Sequence, residues 1–236
     1  MWWIIALAVL LVISGIVFLI TVQRGVMALF RPRRHPRPGQ IRIACTGDSI
    51  TYGYGIRNWL RNNYPEQLQQ LLGSSYCVRN FGVCGATASS SGDNPYEKTA
   101  ASRDSLAFRP NIVLLMLGTN DSKPCNWKDA DEYAEDLKKF VSIYRALPDK
   151  PCIILLTPPP AYGDPVPFDI DADVLKTKVR YQILALAGTE QLPCVDLYAM
   201  FEGRPELLWD GVHPNAAGAE CIAKAAAAYV RKEKEE

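Results

Sequence analysis

Four short blocks of the sequence hold the residue types that acyl transfer requires. Gly47-Asp48-Ser49-Ile50-Thr51 offers a hydroxyl, and Asn80-Phe81-Gly82 with Gly85 offers unencumbered backbone. Gly118-Thr119-Asn120-Asp121 offers a side-chain amide, and Asp210-Gly211-Val212-His213 offers a carboxylate and an imidazole. A serine hydroxyl is a weak nucleophile and needs an adjacent base. The chain has two histidines, and His35 lies in a stretch dominated by proline and arginine. His213 is therefore the candidate base for Ser49. Asp210, three residues upstream, is near enough in sequence to hold the imidazole tautomer and to stabilise the imidazolium. A tetrahedral intermediate needs donors aimed at its oxyanion. The candidates are the backbone N–H groups of Ser49 and Gly82 and the side-chain amide of Asn120, glycine because it lets backbone approach a ligand closely. Asp48, Trp127 and Trp209 are candidate substrate-binding residues, the indoles either stacking on a sugar ring or packing at the mouth of the sheet. Read singly, each block is also an ordinary turn. Asp210 and His213 could equally organise the start of the last helix. The order and placement of all four blocks favour a site.

The surrounding pattern predicts how these blocks are positioned. Ile41–Thr46 and Tyr76–Phe81 read as strands. Ile112–Leu117 and Cys152–Thr157 are continuous apolar runs, as expected of strands buried on both faces. Pro193–Leu197 reads as a last strand. Pro65–Leu72 reads as a helix with Pro near its start and Gly73 past its end. Asp129–Leu147 has apolar residues at helical spacing, Asp171–Ala187 reads as another helix, and Asn215–Arg231 as an alanine-rich one capped by Asn215. Residues 82–110 read as a long functional loop region. Strands alternating with helices imply a parallel sheet covered on both faces, a three-layer α/β/α sandwich. Such sheets bind ligands beyond the carboxyl ends of their strands, where the first three blocks fall.

Outside that domain, residues 2–22 carry no charge, a run of about 30 Å as a helix, enough to span a bilayer core. Residues 1–23 are therefore expected to form a single transmembrane anchor, 24–39 a Pro/Arg-rich juxtamembrane linker, and 40–236 the catalytic domain. The arginines at 24, 31, 33, 34 and 37 follow the apolar run, so the positive-inside rule places the domain on the cytoplasmic side. The seven cysteines are an odd number with no C-x-x-C pair, and they read as free thiols, which agrees with a reducing compartment. No metal site is expected. With 48% hydrophobic and 22% charged residues the chain is globular, and its net charge of +1 argues against a nucleic-acid partner.

The four blocks together resemble those of the SGNH, or GDSL, hydrolases, and the resemblance covers Gln40 to the carboxyl terminus. It implies a flavodoxin-like α/β/α domain, an acyl-enzyme mechanism with a Ser49–His213–Asp210 triad, an oxyanion hole of Ser49, Gly82 and Asn120, and no metal or organic cofactor. The G-x-S-x-G elbow of α/β-hydrolases is absent around Ser49. Cys125-Asn126-Trp127 and the block spacing resemble the carbohydrate O-acetylesterase branch, which implies a small-molecule or carbohydrate ester as partner. The anchor suggests a second class, a lysophospholipase or acyl-thioesterase with Ala161–Phe168 lining an apolar groove. Two other readings are a phosphoryl-transfer protein using Asp48 and an inactive, membrane-tethered binding module.

Overall fold

The computed structural model describes residues 34–232. The predicted anchor and most of the predicted linker lie outside the described residues, and with them the expected membrane placement. Among the described residues no helix is long and apolar enough to cross a membrane. Arg34, near the linker's end, donates to the Val78 carbonyl at 3.3 Å and pairs with Glu66, so this part of the linker lies against the domain.

Five strands form one parallel sheet: β1 (Ile41–Gly47), β2 (Tyr76–Gly82), β3 (Ile112–Met116), β4 (Cys152–Leu156) and β5 (Cys194–Val195), in the order β2-β1-β3-β4-β5. The main helices are α1 (Ser49–Tyr52), α2 (Tyr64–Leu72), α3 (Ala100–Ala107), α4 (Ala130–Arg145), α5 (Arg180–Thr189) and α6 (Ala216–Lys232). Alternate residues of each strand point to opposite faces. Ile112, Leu114 and Met116 enter a core shared with Tyr64 and Leu68 of α2 and with Ile222, Ala226 and Val230 of α6. Val113 and Leu115 enter a second core with Tyr133, Leu137 and Val141 of α4 and Ile183 of α5. A smaller core under α3 joins Ala44, Cys77, Phe81 and Phe108, and the Arg79 guanidinium lies 4.8 Å from the Phe81 ring centroid. The result is an α/β fold of three layers, and it explains why β3 and β4 are apolar throughout.

The sheet also fixes where the site must be. β1 is flanked by β2 on one side and β3 on the other, and Gly47 pairs with both Gly82 and Met116. The ends of the three strands are therefore level. The chain turns one way from β1 to β2 and the other way to β3, which makes β1/β3 the switch point where such sheets open a crevice.

Three elements differ from the sequence reading. The helix expected over Asp171–Ala187 is assembled from a turn at Ala172–Val174, a wider i→i+5 stretch over Leu175–Val179, and α5. The last strand keeps two residues, because Asp196 leaves the sheet to cap the helix Leu197–Phe201, accepting from Ala199 N at 3.3 Å. The expected loop 82–110 contains α3, whose buried residues are Ser102 and Ser105, so no apolar periodicity announced it. Asn215 caps α6 as expected, its Oδ1 accepting from Ala217 N and Gly218 N at 3.0 and 3.1 Å.

Candidate active site

β1 ends in a turn that holds Ser49 at the head of a single helical turn. Asp48 Oδ1 accepts from Ile50 N at 2.8 Å and caps it, and Gly53, at φ 87°, closes it by donating to the Ser49 carbonyl at 2.9 Å. A side chain at Gly47 would collide with Met116 O and Thr51 Oγ1, so strand and turn pack as tightly as backbone allows. Ser49 is therefore fixed by strand, cap and turn together.

The histidine loop meets it from the other end of the chain. Ser49 Oγ lies 2.9 Å from His213 Nε2, and His213 Nδ1 lies 2.7 Å from Asp210 Oδ2. The other Asp210 oxygen accepts from Val212 N at 3.0 Å and His213 N at 2.7 Å, so one carboxylate both shapes the loop and orients the ring. Gly211, at φ 86°, lets Tyr162 O sit where a Cβ would be, and Tyr162 N donates to Gly211 O at 2.8 Å. The imidazole is enclosed by Tyr54, Phe168 and Trp209, with ring centroids 4.8, 5.1 and 6.4 Å away. Burial pulls the His213 pKa down, against the opposing pull of Asp210, and the balance leaves it below the ordinary histidine value. The ring is thus neutral at neutral pH and able to accept a proton.

Ser49 and His213 open on a cavity of about 230 Å³. Apolar Ile170, Val212 and Phe168 line it, along with Gly85, Asn120 and Lys123. Asn120, buried, donates from Nδ2 to Ala86 O at 3.1 Å, which fixes the amide plane and leaves a second N–H on the same nitrogen. Asn126 in turn holds Asn120, donating to its carbonyl at 2.9 Å.

Residues 45–221 match the GDSL-like lipase/acylhydrolase family. The chain belongs to that family. It is 36% identical over 214 residues to an acetylxylan esterase of Xylanibacter ruminicola, a match covering 83% of this chain and 44% of that one, so the chain spans less than half the length of that relative. Among solved structures it is similar to the inhibitor-bound aryl esterase of M. smegmatis (TM-score 0.69, 22% identity, 81% of this chain and 99% of that one). It is similar also to a carbohydrate acetylesterase from Sinorhizobium meliloti (TM-score 0.68, 20% identity, 82% and 99%). At these identities the two structures speak to the fold.

Against the family's blocks, the structure redistributes several residues singled out in the sequence. It brings Ser49, His213, Asp210 and Asn120 together. It does not bring Gly82 to the cavity. The Gly82 N–H donates to Asn80 Oδ1 at 2.9 Å, and the missing side chain makes room for Asp48 O, Thr51 and Tyr52 N instead. Gly85, at φ 79°, lines the cavity beside Ser49 and Asn120. Asp48 is not a substrate contact, being fully buried with Oδ1 engaged as a cap. Trp127 is absent from the cavity wall and packs on Tyr133, with ring centroids 5.9 Å apart. Trp209 is half-exposed beside the imidazole. Asp121 had no role in the sequence reading. It is fully buried and accepts from Ala88 N at 3.0 Å and Ser89 N at 2.8 Å, tying the loop after Gly85 to the asparagine block. Among the described residues no group of three or more His, Cys, Asp or Glu could hold a metal ion.

Asp48 carries a testable cost. Burial pushes its carboxyl up to about 7, against the opposing pull of the Ile50 N–H and the Thr119 side chain. An unfolded aspartate titrates near 3.9, so from about pH 4 to 7 this carboxyl holds more proton in the folded state and its contribution to stability falls as pH rises. Asp48→Asn keeps an oxygen for Ile50 N and cannot ionise. The Tm difference between acidic and mildly alkaline buffers is expected to shrink in this variant. Asp121, pushed up to about 6, adds to the decline, and the lowered pKa of His213 opposes it. An unchanged difference would mean that Asp48 is not the group responsible.

Proposed function

We propose that this protein is a serine esterase that removes short acyl groups, acetyl foremost, from carbohydrate esters. The observation that carries the reading is the hydroxyl–imidazole–carboxylate line from Ser49 to Asp210, opening on a small, largely apolar cavity. Ser49 Oγ attacks the ester carbonyl as its proton passes to His213 Nε2. Asp210 stabilises the imidazolium without taking the proton. The carbonyl oxygen becomes an oxyanion, met by the backbone N–H of Ser49, that of Gly85 in place of Gly82, and the second N–H of Asn120 Nδ2. Collapse expels the alcohol, which takes its proton from His213 and leaves an acyl-serine. A water molecule, deprotonated by the same imidazole, then releases the acid and restores Ser49.

Asn120→Ala is expected to lower kcat on 4-nitrophenyl acetate by about 10²–10³-fold, the usual loss for one oxyanion donor. Full kcat in that variant would take Asn120 out of the hole.

The acyl preference follows from size. A cavity of about 230 Å³ lies below the range typical of drug-sized ligands. A panel of 4-nitrophenyl acetate, butyrate and octanoate should show kcat/KM falling at least ~10-fold from acetate to octanoate, since overfilling a packed wall is penalised. A rise with chain length would instead support the lipid-directed reading, in which Phe168 of the Ala161–Phe168 segment fronts an acyl groove. The carbohydrate half of the proposal is supported by the named activity of the Xylanibacter relative and by the half-exposed indole of Trp209 beside the imidazole.

A further inference from the structure

A second cavity, of about 590 Å³, adjoins the site on the far side of the aromatic cage. Trp209 forms one wall, Arg57 and Asn58 bring a guanidinium and an amide to the others, and Asn62 and Asn215 line the rest with amides engaged to Arg57 O and to the start of α6. Trp209 and His213 are near-parallel, 6.4 Å apart between centroids at 26°, so the ring that borders the base also borders this space. The indole is held in place. Its Nε1 donates to Tyr54 O at 3.3 Å, and Gly55 has no side chain because a Cβ would strike the indole ring. Asn58 adopts φ 54°, uncommon outside glycine, and makes no capping bond with its side chain. Asn62 Nδ2 donates to Arg57 O at 2.8 Å, which ties down the segment carrying Arg57 and Asn58. Among the described residues Arg57 makes no ion pair. It is the only charged side chain in the lining.

A flat aromatic wall facing planar hydrogen-bonding groups is the chemistry that grips a sugar ring. The C–H face packs on the indole, and the hydroxyl rim meets amides and a guanidinium fork. We infer that this cavity is a subsite for a second sugar ring, adjacent to the one that bears the ester, and that it gives the protein a preference for oligosaccharide over single-sugar esters. The inference rests on the esterase reading and names the substrate's length.

Binding tests it apart from catalysis. The full chain carrying Ser49→Ala is titrated calorimetrically with an acetylated xylotetraose and with an acetylated xylose. The tetramer is expected to bind at least ~10-fold more tightly, as two or more well-packed contacts would give. Adding Arg57→Ala with Asn58→Ala, or Trp209→Ala alone, is expected to cut that affinity ratio by about tenfold, and Trp209→Phe to restore most of it. Circular dichroism checks that each variant is folded. If one variant unfolds, the other decides. Equal affinities for tetramer and monomer, or a ratio untouched by the folded variant, would overturn the subsite. Failure of the unmutated protein to hydrolyse any acetyl ester would overturn the esterase reading instead.

Discussion

Alanine at position 49 is expected to lower kcat on 4-nitrophenyl acetate by about 10⁵–10⁶-fold, the scale seen when a triad nucleophile is deleted. The size follows from what the hydroxyl does. Without Oγ no acyl-enzyme forms, and one difficult step is no longer divided into two easier ones. What survives is the residual help of the oxyanion donors toward direct attack by water. The substitution removes a single atom at the start of α1. That turn is built by the Asp48 cap and the Gly53 closure, neither of which uses Oγ, so the fold should be retained. Two measurements belong together: steady-state turnover, and covalent labelling by a fluorophosphonate, which should be present in the parent and absent in the variant. A variant that turns over at even a tenth of the parental rate would end the nucleophile assignment, and with it the reading of the other three blocks.

Asp210→Asn is expected to cost about 10⁴-fold in kcat, close to the loss known for the equivalent change in other triads. An asparagine can keep Oδ1 as acceptor for Val212 N and His213 N, so the loop should survive. Its nitrogen, though, would face His213 Nδ1 as a donor. The neutral ring would then carry its proton on Nε2 and present a donor, not an acceptor, to Ser49. The pH profile separates this from simple damage. In the parent, kcat/KM should rise through an apparent pKa below the ordinary imidazole value, because burial outweighs the carboxylate. The carboxylate raises that pKa, so its removal should shift the acid limb to still lower pH while the plateau falls. A plateau that falls with the limb unmoved would mean that Asp210 acts only on loop geometry.

Much of this was legible in the sequence, for identifiable reasons. β3 and β4 are apolar without interruption because both faces are covered, and α4 shows its stripe because one side meets solvent. The nucleophile and histidine blocks follow short-range rules, with Ser49 and His213 each held by a carboxylate within three residues. What escaped depended on partners distant in sequence or on small polar side chains. α3 buries Ser102 and Ser105, and Ser105 Oγ meets Tyr144 at 2.6 Å, a contact no periodicity encodes. Gly82 and Gly85 are equally glycine in the sequence. Only the turn of Asn80 back onto Gly82 N shows that the second of them faces the cavity. Asp48 sits beside the nucleophile in sequence, yet its side chain points into the protein because capping Ile50 demands it.

Ser49 and His213 are 164 residues apart, one following the first strand and the other preceding the last helix. Contacts of such long sequence separation are slow to form, because the intervening chain must first be ordered. All five strands end by Val195, so the segment that brings the imidazole to Ser49 is the last part of the site to be synthesised. On the mechanism proposed above, a chain lacking that closing segment has no base for Ser49 and could not attack an ester.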